Sequence, residues 1–403
     1  MPFDACTSIV SKIVGNSNEV HVSLKRGERM KRIFCILLMF FVMGAVPVMA
    51  ADVDVLENTV RASGVENISL PESAGDFADK NGINVSEPEK MLEITPKMVF
   101  DYILDGLKNK LLNPLKVLGK LFSVILLASL IAGMGDTVSS KGMSKVYGII
   151  STLICVGIIS EPVCSCIQSV SDTLICGGNF MVSYVPVFSG LVAASGNISS
   201  AGSYSVIIFA VCEISTQIAS KILMPLLGLC LAMAVVESIN PAISLSGITD
   251  GIKKAAVWGI GFIMTVFVGL LTIQSVIGVS ADTVSAKAAK FVVSSVVPVV
   301  GGAISDAYSA IKGSLGILKS GVGSYGIAAL LLTMLPSIIS VVLLEAAVWC
   351  GAIVSEIFGA KEINSLLKNV VSVLSIALSL LLCFTMMLVV STAIIMMLGL
   401  NMF

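Results

Sequence analysis

Charged side chains are scarce in this sequence: Asp, Glu, Lys and Arg make up 13% of its 403 residues. Hydrophobic residues make up 56%, and the mean hydropathy is +0.99. A water-soluble globular protein could not cover its surface with so few charges, so the composition excludes that class and indicates an integral membrane protein. The apolar residues form long runs, which are typical of membrane helices, whereas strands of an outer-membrane barrel would alternate with a period of two. We therefore expect an all-α polytopic integral membrane protein.

Residue types that usually carry chemistry are also few. The single histidine, His21, precedes the first long apolar run, so we expect neither histidine-based catalysis nor a His-ligated metal. The ten cysteines form no C-x-x-C motif, and we interpret even Cys164, Cys166 and Cys176 as small packing residues of membrane helices. No acid pair, nucleophile–base pair or glycine-rich phosphate loop stands out, so we expect no enzymatic activity and no cofactor. The formal net charge of -1 provides no basic surface for nucleic acid.

The N-terminal region contains one apolar run in a targeting pattern. A charged start at Met30-Lys31-Arg32, an apolar stretch and a small-residue end predict a secretory signal peptide over residues 30–51. An uncleaved signal anchor is the alternative. Gly27-Glu28 can be encoded by a bacterial ribosome-binding sequence before the Met30 codon, so we expect residues 1–29 to be a leader translated from a misplaced start.

Two polar segments separate this signal from the membrane region. Residues 52–97 are rich in acidic side chains, proline and glycine, which predicts a short extracytoplasmic segment with little structure of its own. Residues 98–112 place apolar side chains at helical spacing with charges between them. This pattern predicts an amphipathic helix that lies at the membrane surface and ends before Pro114, although a soluble packing helix is left open.

The remainder of the chain alternates between apolar runs and short polar breaks. We predict membrane spans over residues 121–135, 146–163, 204–239, 255–279, 327–358 and 370–403, with interruptions at Pro225 and Pro336. Two further proline-containing segments lie between these spans. Counting them, we expect about seven to nine membrane helices, including broken or re-entrant ones.

The pattern S-x-V-P-V-x-[SG]-G occurs twice, which indicates a diverged internal repeat rather than chance similarity. The two copies share three residues of this pattern: Ser183, Pro186 and Gly190 in the first copy correspond to Ser295, Pro298 and Gly302 in the second. Downstream, Gly202-Ser203-Tyr204 matches Gly323-Ser324-Tyr325. We assign residues 113–240 to the first repeat and residues 241–403 to the second repeat plus a final span. Proline and Ser-Gly neighbours permit unwound backbone inside protein, so each copy is interpreted as a broken helix beside a central path, or alternatively as a proline-kinked span.

Three lysine pairs occupy equivalent places in the two repeats and before the last span: 141/145, 253/254 and 361/368. An even number of crossings between them puts all three on the cytoplasmic face, so the repeats would be parallel. Lysines 108–120 conflict with this topology, because they precede the first mature span on the side that the signal peptide places outside. We follow the signal peptide.

A stripe of polar residues interrupts one apolar run. Glu213, Thr216, Gln217, Ser220 and Lys221 follow helical spacing, which predicts one shared face that looks into the bundle or onto water. The stripe would line a conduit or couple ions, and the alternative is a short loop at Ser220-Lys221. Glu345 is a further acid within an apolar run, and the second repeat has no matching stripe. On the last span, Ser372, Ser375, Ser379 and Cys383 predict a helix-packing face.

The stretch from Val185-Pro186 through Ser189-Gly190 to Gly202-Ser203-Tyr204, with the signal, acidic segment and polytopic region around it, resembles the stage III sporulation protein AE family. The resemblance covers about residues 52–403, and residues 1–29 depart from it. It implies a protein of the mother-cell membrane around the engulfed forespore, within a channel or secretion-like complex that joins the two cells. The family is permease-like, and later forespore gene expression depends on it.

The sequence is therefore consistent with two main functions and a third, simpler one. The first is a membrane subunit of the sporulation channel complex, with the other membrane subunits and the lipid bilayer as partners and a homo-oligomer left open. The second is a self-sufficient secondary transporter with the Glu213–Lys221 stripe as its coupling site. A membrane-embedded scaffold without a conduit is the third option.

Overall fold

Every element in the described part of the chain is a helix. A computed structural model describes residues 71–81, 97–98, 101–102, 112–138, 141–239, 245–296 and 301–398. The helices are α1 (Glu72–Lys80), α2 (Leu112–Val138), α3 (Lys141–Ala194), α4 (Ile198–Ile218), α5 (Met224–Ile239), α6 (Ser246–Val296), α7 (Gly301–Ile357) and α8 (Lys361–Leu398). A π-helical turn, Ala219–Leu223, joins α4 to α5. The all-α prediction is confirmed, because lipid obliges the backbone to satisfy its own polar groups, which helices do.

Six helical stretches in the described part are long and apolar enough to cross a membrane, with α4 and α5 counted as one through their π turn. Helices α3, α6 and α7 contain 54, 51 and 57 residues, whereas about 20 suffice for one crossing. The segments that we predicted as separate spans and broken helices are joined in these long helices. The count of seven to nine and the internal repeat therefore stay predictions.

The proline positions explain much of this difference. We predicted an interruption at Pro336, but α7 is helical throughout, and the Ser340 hydroxyl donates a hydrogen bond to the Pro336 carbonyl at 2.7 Å. Pro225 has a larger effect, because it follows the π turn, where the Met224 amide donates to the Ala219 carbonyl. A wider turn accommodates a proline ring that would clash with the carbonyl one turn earlier. Helical backbone thus continues through both prolines.

The start of the first span also differs from the prediction. Helix α2 begins at Leu112, nine residues before the predicted start at Leu121, and includes Pro114 in its first turn. Proline is tolerated there because the first amides of a helix have no partner within the helix. The predicted amphipathic helix over residues 98–112 lies mostly outside the described residues, which include only short helical pieces at 97–98 and 101–102.

Helices α7 and α8 form the centre of the bundle. Their apolar windows are 56% and 61% buried, against 17% for α2 and 22% for α6. They form an antiparallel hairpin that turns at Gly359, and α3 and α4 form another that turns at Gly196. Both glycines have positive φ, at 72° and 92°, which side chains other than glycine rarely adopt.

One end of the bundle gathers the lysine-bearing helix starts. Gly148, near the start of α3, faces Glu362 at the start of α8. The Lys253 ammonium group of α6 donates to the Asn369 side chain of α8 at 2.9 Å. Helices α3, α6 and α8 therefore begin at the same end, as the shared side of the three lysine pairs requires.

The short helix α1 packs against α7 near the opposite end. Its Phe77 is buried and makes an edge contact with Tyr102 at 5.3 Å, and Lys80 lies over the Tyr102 ring at 5.2 Å. Burial and then the Asp76 carboxylate raise the pKa of the Tyr102 phenol above its usual value of 10.0. The acidic segment therefore contributes one ordered helix to the bundle.

Candidate functional site

The polar stripe of α4 and its π turn is divided between two environments. Glu213 and Lys221 are exposed, Gln217 and Ser220 are half-buried, and Thr216 is buried. Although residues three apart lie on neighbouring parts of a helix surface, Thr216 packs against α3 whereas Glu213 is exposed, so the edge of the helix contact runs between them. Of the predicted alternatives, into the bundle or onto water, Thr216 takes the first, and the predicted role of the stripe in a conduit stays a prediction.

The outward half of the stripe retains one internal link. The Gln217 amide donates to the Glu213 carboxylate at 2.8 Å, one helical turn away. Lys221 makes no ion pair within the described ranges, so this link within the stripe joins Glu213 to Gln217 and does not include Lys221. In a single copy these charges would lie against lipid, which is costly. The outward face therefore has the composition of a surface that contacts other protein or water.

The inward half of the stripe forms a tight helix crossing. A Cβ atom added to Gly178 of α3 would lie 2.5 Å from the Thr216 hydroxyl oxygen, so the two helices approach closely here. Ser215 contacts the Met387 sulfur of α8 at 3.7 Å, and Ser220 donates to the Thr216 carbonyl at 2.7 Å. Small side chains thus bring α3, α4 and α8 together at the level of the π turn.

Glu345, unlike the exposed Glu213, lies between two helices of the bundle. It lies on α7 and accepts a hydrogen bond from the Ser375 hydroxyl of α8. Apolar neighbours of both helices, including Leu344, Val348 and Leu374, belong to one buried core. The Glu345–Ser375 contact is therefore a polar link within the central hairpin.

The predicted packing face of the last span is used within the chain. Ser375 contacts Glu345, and Ser379 donates to the Ser375 carbonyl at 2.8 Å. Ser372 and Cys383 are half-buried, and Cys383 lines an apolar crevice with Ser215 and Ala219. Ser375 and Cys383 thus lie against other helices of the same copy, whereas Ser379 is exposed and bonds within α8, so packing between subunits stays open.

The first proline motif lies within a continuous helix. Residues 183–194 belong to α3, the Ser183 hydroxyl donates to the Phe180 carbonyl, and the Ser189 hydroxyl donates to the Pro186 carbonyl. Pro186 and Gly190 are exposed, so they do not face a central path in a single copy. Helical backbone at this motif agrees with the alternative that we left open, a proline-containing span.

The second proline motif falls at a different place in the fold. Ser295 lies in the last turn of α6 and Gly302 in the first turn of α7, while Pro298 lies outside the described residues. The first copy is thus inside one helix, and the second copy falls between two described helices. The repeat gains no support from this pair of motifs.

Sequence reasoning missed several buried polar residues on α3, α4, α7 and α8. Lys319, Tyr204, Tyr325 and Ser391 are each buried, and Tyr184 donates a hydrogen bond to the Val322 carbonyl at 3.2 Å. One signal was present in the sequence, since Lys319 is the sole charged residue between Lys312 and Glu345. The tyrosines carried no signal, because aromatic residues in apolar runs are ordinary.

The described residues contain no group of three or more His, Cys, Asp or Glu side chains that could hold a metal ion. All eight cysteines in that part are free. The polar groups instead lie singly or in pairs on long apolar helices, an arrangement that defines a polytopic helical membrane protein.

Comparison with known proteins narrows this class to a family. The family described as stage III sporulation protein AE matches residues 85–399, and the chain belongs to this family. A curated relative, stage III sporulation protein AE of Bacillus subtilis (strain 168), is 26% identical over 251 residues, which are 62% of this chain and 61% of the relative. The match thus spans less than two thirds of the relative's length. No solved structure matches the chain. The resemblance to this family is therefore confirmed.

Proposed function

We propose that the protein is a membrane subunit of a sporulation-specific, channel-like or secretion-like complex that connects mother cell and forespore. In this role it is permease-like, lies in the mother-cell membrane around the forespore, and is needed for late forespore gene expression. Residues 52–112 then lie outside the cytoplasm. Family membership supports the sporulation context.

One observation favours a subunit over a self-sufficient transporter: Glu213 and Lys221 are exposed, and they lie outside the buried apolar core that the described helices share. Charged side chains on a membrane helix are stable only against other protein or water. Other membrane subunits provide such contacts, and so does a second copy of the chain. The bilayer covers the remaining apolar exterior, and no catalytic step is assigned.

The experiment is a deletion of the gene in a spore-forming host, followed by complementation with tagged variants. The wild-type chain should restore spore formation and co-purify other membrane proteins of the sporulating cell. Glu213→Leu and Lys221→Leu should be inserted and folded but should lose both properties. Asp101→Leu, which removes an exposed carboxylate outside the candidate membrane spans, is the matched control and should behave as wild type.

The transporter remains the second candidate because the Glu213–Gln217 hydrogen bond lies one turn before a π turn, a feature frequent at functional sites. Reconstitution of the purified chain in liposomes separates the two functions. Solute uptake driven by an ion gradient, without other subunits and dependent on Glu213, would overturn the subunit proposal. Full sporulation by the Glu213→Leu, Lys221→Leu double variant would leave only the scaffold.

A further inference from the structure

Polar side chains mark the outer face of the hairpin that α3 and α4 form. On α3, Glu161, Gln168, Asp172 and Asn179 are exposed, and their spacing of seven, four and seven residues places them on one side of the helix. They extend along about 27 Å of helix, close to the roughly 30 Å of hydrocarbon in a bilayer. Lipid is a costly neighbour for carboxylates and amides, so this side of α3 requires water or protein beside it.

The exposed charges of both helices lie on the side of the hairpin that is turned away from α8. Gly177 of α3 and Ser215 of α4 both lie against α8, and the next residue of each helix faces the other helix of the hairpin. At about 100° per residue, Asp172 and Lys221 lie beyond that contact, on the side opposite to α8. Their exposure agrees with this placement, and the exposed Glu213 shares the same side.

Asp172 and Lys221 also lie at the same depth along the hairpin. Gly178 and Thr216 mark one level, since a Cβ atom added to Gly178 would lie 2.5 Å from the Thr216 hydroxyl oxygen. Asp172 lies six residues before Gly178, and Lys221 lies five residues after Thr216 on the antiparallel helix. Their depths therefore agree within about 2 Å at a rise of about 1.5 Å per residue. Among the residues that the structure describes, neither of the two forms an ion pair.

A second copy of the chain offers a counter-charge to each of them. Copies of one membrane protein share an orientation in the bilayer, so a rotation about the membrane normal relates them and preserves depth. A two-fold rotation that brings two hairpins face to face puts α3 of each copy opposite α4 of the other. Asp172 of each copy then meets Lys221 of the other copy. Asn179 lies at the level between Glu213 and Gln217, so its amide meets polar groups as well. The face is thus complementary to itself, as an isologous interface must be.

We propose that the outer face of the α3–α4 hairpin is the interface of a two-fold homodimer, held by two reciprocal Asp172–Lys221 ion pairs. Charge complementarity selects a second copy over a different subunit, because the face presents an acid and a base at one depth and needs both in return. Such a pair attracts far more strongly in a region of low dielectric constant than in water. The dimer rests on the proposed function in one respect, namely that the exposed charges of α4 contact other protein.

The test reverses each charge in turn in the purified full-length chain. In Asp172→Lys both facing pairs become lysine against lysine, and in Lys221→Asp both become acid against acid. Asp250→Lys reverses an exposed carboxylate of α6, which is not part of the hairpin, and is the matched control. Energy transfer between labelled copies in liposomes measures the dimer dissociation constant. The thermal midpoint of each variant in detergent reports whether it folds.

Wild type and Asp250→Lys should dimerise, whereas each reversal within the hairpin should raise the dissociation constant at least about tenfold and leave the midpoint unchanged. An equimolar mixture of Asp172→Lys with Lys221→Asp should recover the wild-type affinity, because the mixed dimer pairs lysine with acid at both contacts. The double variant, in which the two charges are exchanged, should dimerise by itself. An ion pair within one copy could not produce recovery in the mixture.

The dimer is overturned if wild type is monomeric, if a single reversal dimerises as wild type does, or if the mixture does not recover. Its failure is separate from failure of the proposed function. A monomeric chain that still restores spore formation and co-purifies other membrane proteins overturns the dimer and leaves the proposed function intact. A dimeric chain whose deletion leaves spore formation unimpaired supports the dimer and overturns the proposed function.

Discussion

Glu213 and Glu345 are both carboxylates within long apolar helices, but they lie in different environments. Glu213 is exposed on the outer face of α4 and is linked to Gln217 of its own helix. Glu345 lies between the central helices α7 and α8 and accepts a hydrogen bond from Ser375. The first is available to another protein, whereas the second holds two helices of one chain together. An acid in an apolar run is thus not by itself a sign of a conduit.

The difference between the outer face and the interior leads to predictions that can be ordered by size. The interior is close-packed, so changes there should cost stability. The outer face has few intramolecular contacts, so changes there should affect assembly instead. The quantity to compare is the free energy of unfolding of the purified chain in mixed detergent.

The largest effect is expected for Gly326→Ala. Its methyl group would lie 2.4 Å from the ring of Tyr184, which is fully buried and hydrogen-bonded to Val322, so the unfolding free energy should fall by about 3 kcal/mol. Gly202→Ala is the control in open space on α4, where the same change should be neutral or stabilise by about 0.5–1 kcal/mol. Equal effects of the two changes would refute the close crossing of α3 and α7.

Ser375→Ala should have the next largest effect. Removal of the hydroxyl deprives the Glu345 carboxylate of a donor between two packed helices, which should cost about 2 kcal/mol. Ser379→Ala, one turn along on an exposed position, is the matched control and should change little. A loss of the same size at both serines would show that the α7–α8 link is not specific to Glu345.

Tyr184→Phe should cost less, because it removes one neutral hydrogen bond and retains the ring packing. We expect a loss of about 1 kcal/mol in unfolding free energy. Tyr147→Phe on the exposed part of α3 provides the comparison and should be silent. If Tyr184→Phe is silent as well, the hydroxyl contact to Val322 contributes nothing to the interior.

Glu213→Leu should have the smallest effect on the isolated chain, below about 0.5 kcal/mol, because the outer face makes few contacts within one copy. Its effect should be seen instead in recovery of the assembled complex from membranes. A large loss of stability in the isolated chain, with assembly intact, would place Glu213 among the interior groups and remove the contrast with Glu345.

Particular elements show where sequence reasoning succeeded. The apolar runs predicted membrane helices, and the segment around Pro186 and Tyr204 pointed to the correct family. The continuity of helices did not follow from the sequence. Proline at 225 and 336 predicted breaks, yet helical backbone continues through both, with a π turn just before Pro225. Proline forbids one backbone hydrogen bond, but the neighbouring turns determine whether the helix ends.

The orientation of side chains was the second limit. Spacing placed Thr216 with Glu213 on one stripe, but Thr216 faces α3 because Gly178 leaves room for it there. Lys319 was not predicted to be buried from the sequence around it, and only the packing of α7 shows that it is buried.

By itself, the sequence determined the class of this protein, because so apolar a chain must bury itself in lipid and lipid admits helices that satisfy their own backbone. One short segment of the sequence, around Pro186 and Tyr204, was also enough to indicate the family. Tertiary structure alone decided which polar residues face inward, since that depends on where a glycine of one helix leaves room for a side chain of another. Those contacts join residues far apart in the chain, and no local pattern encodes them.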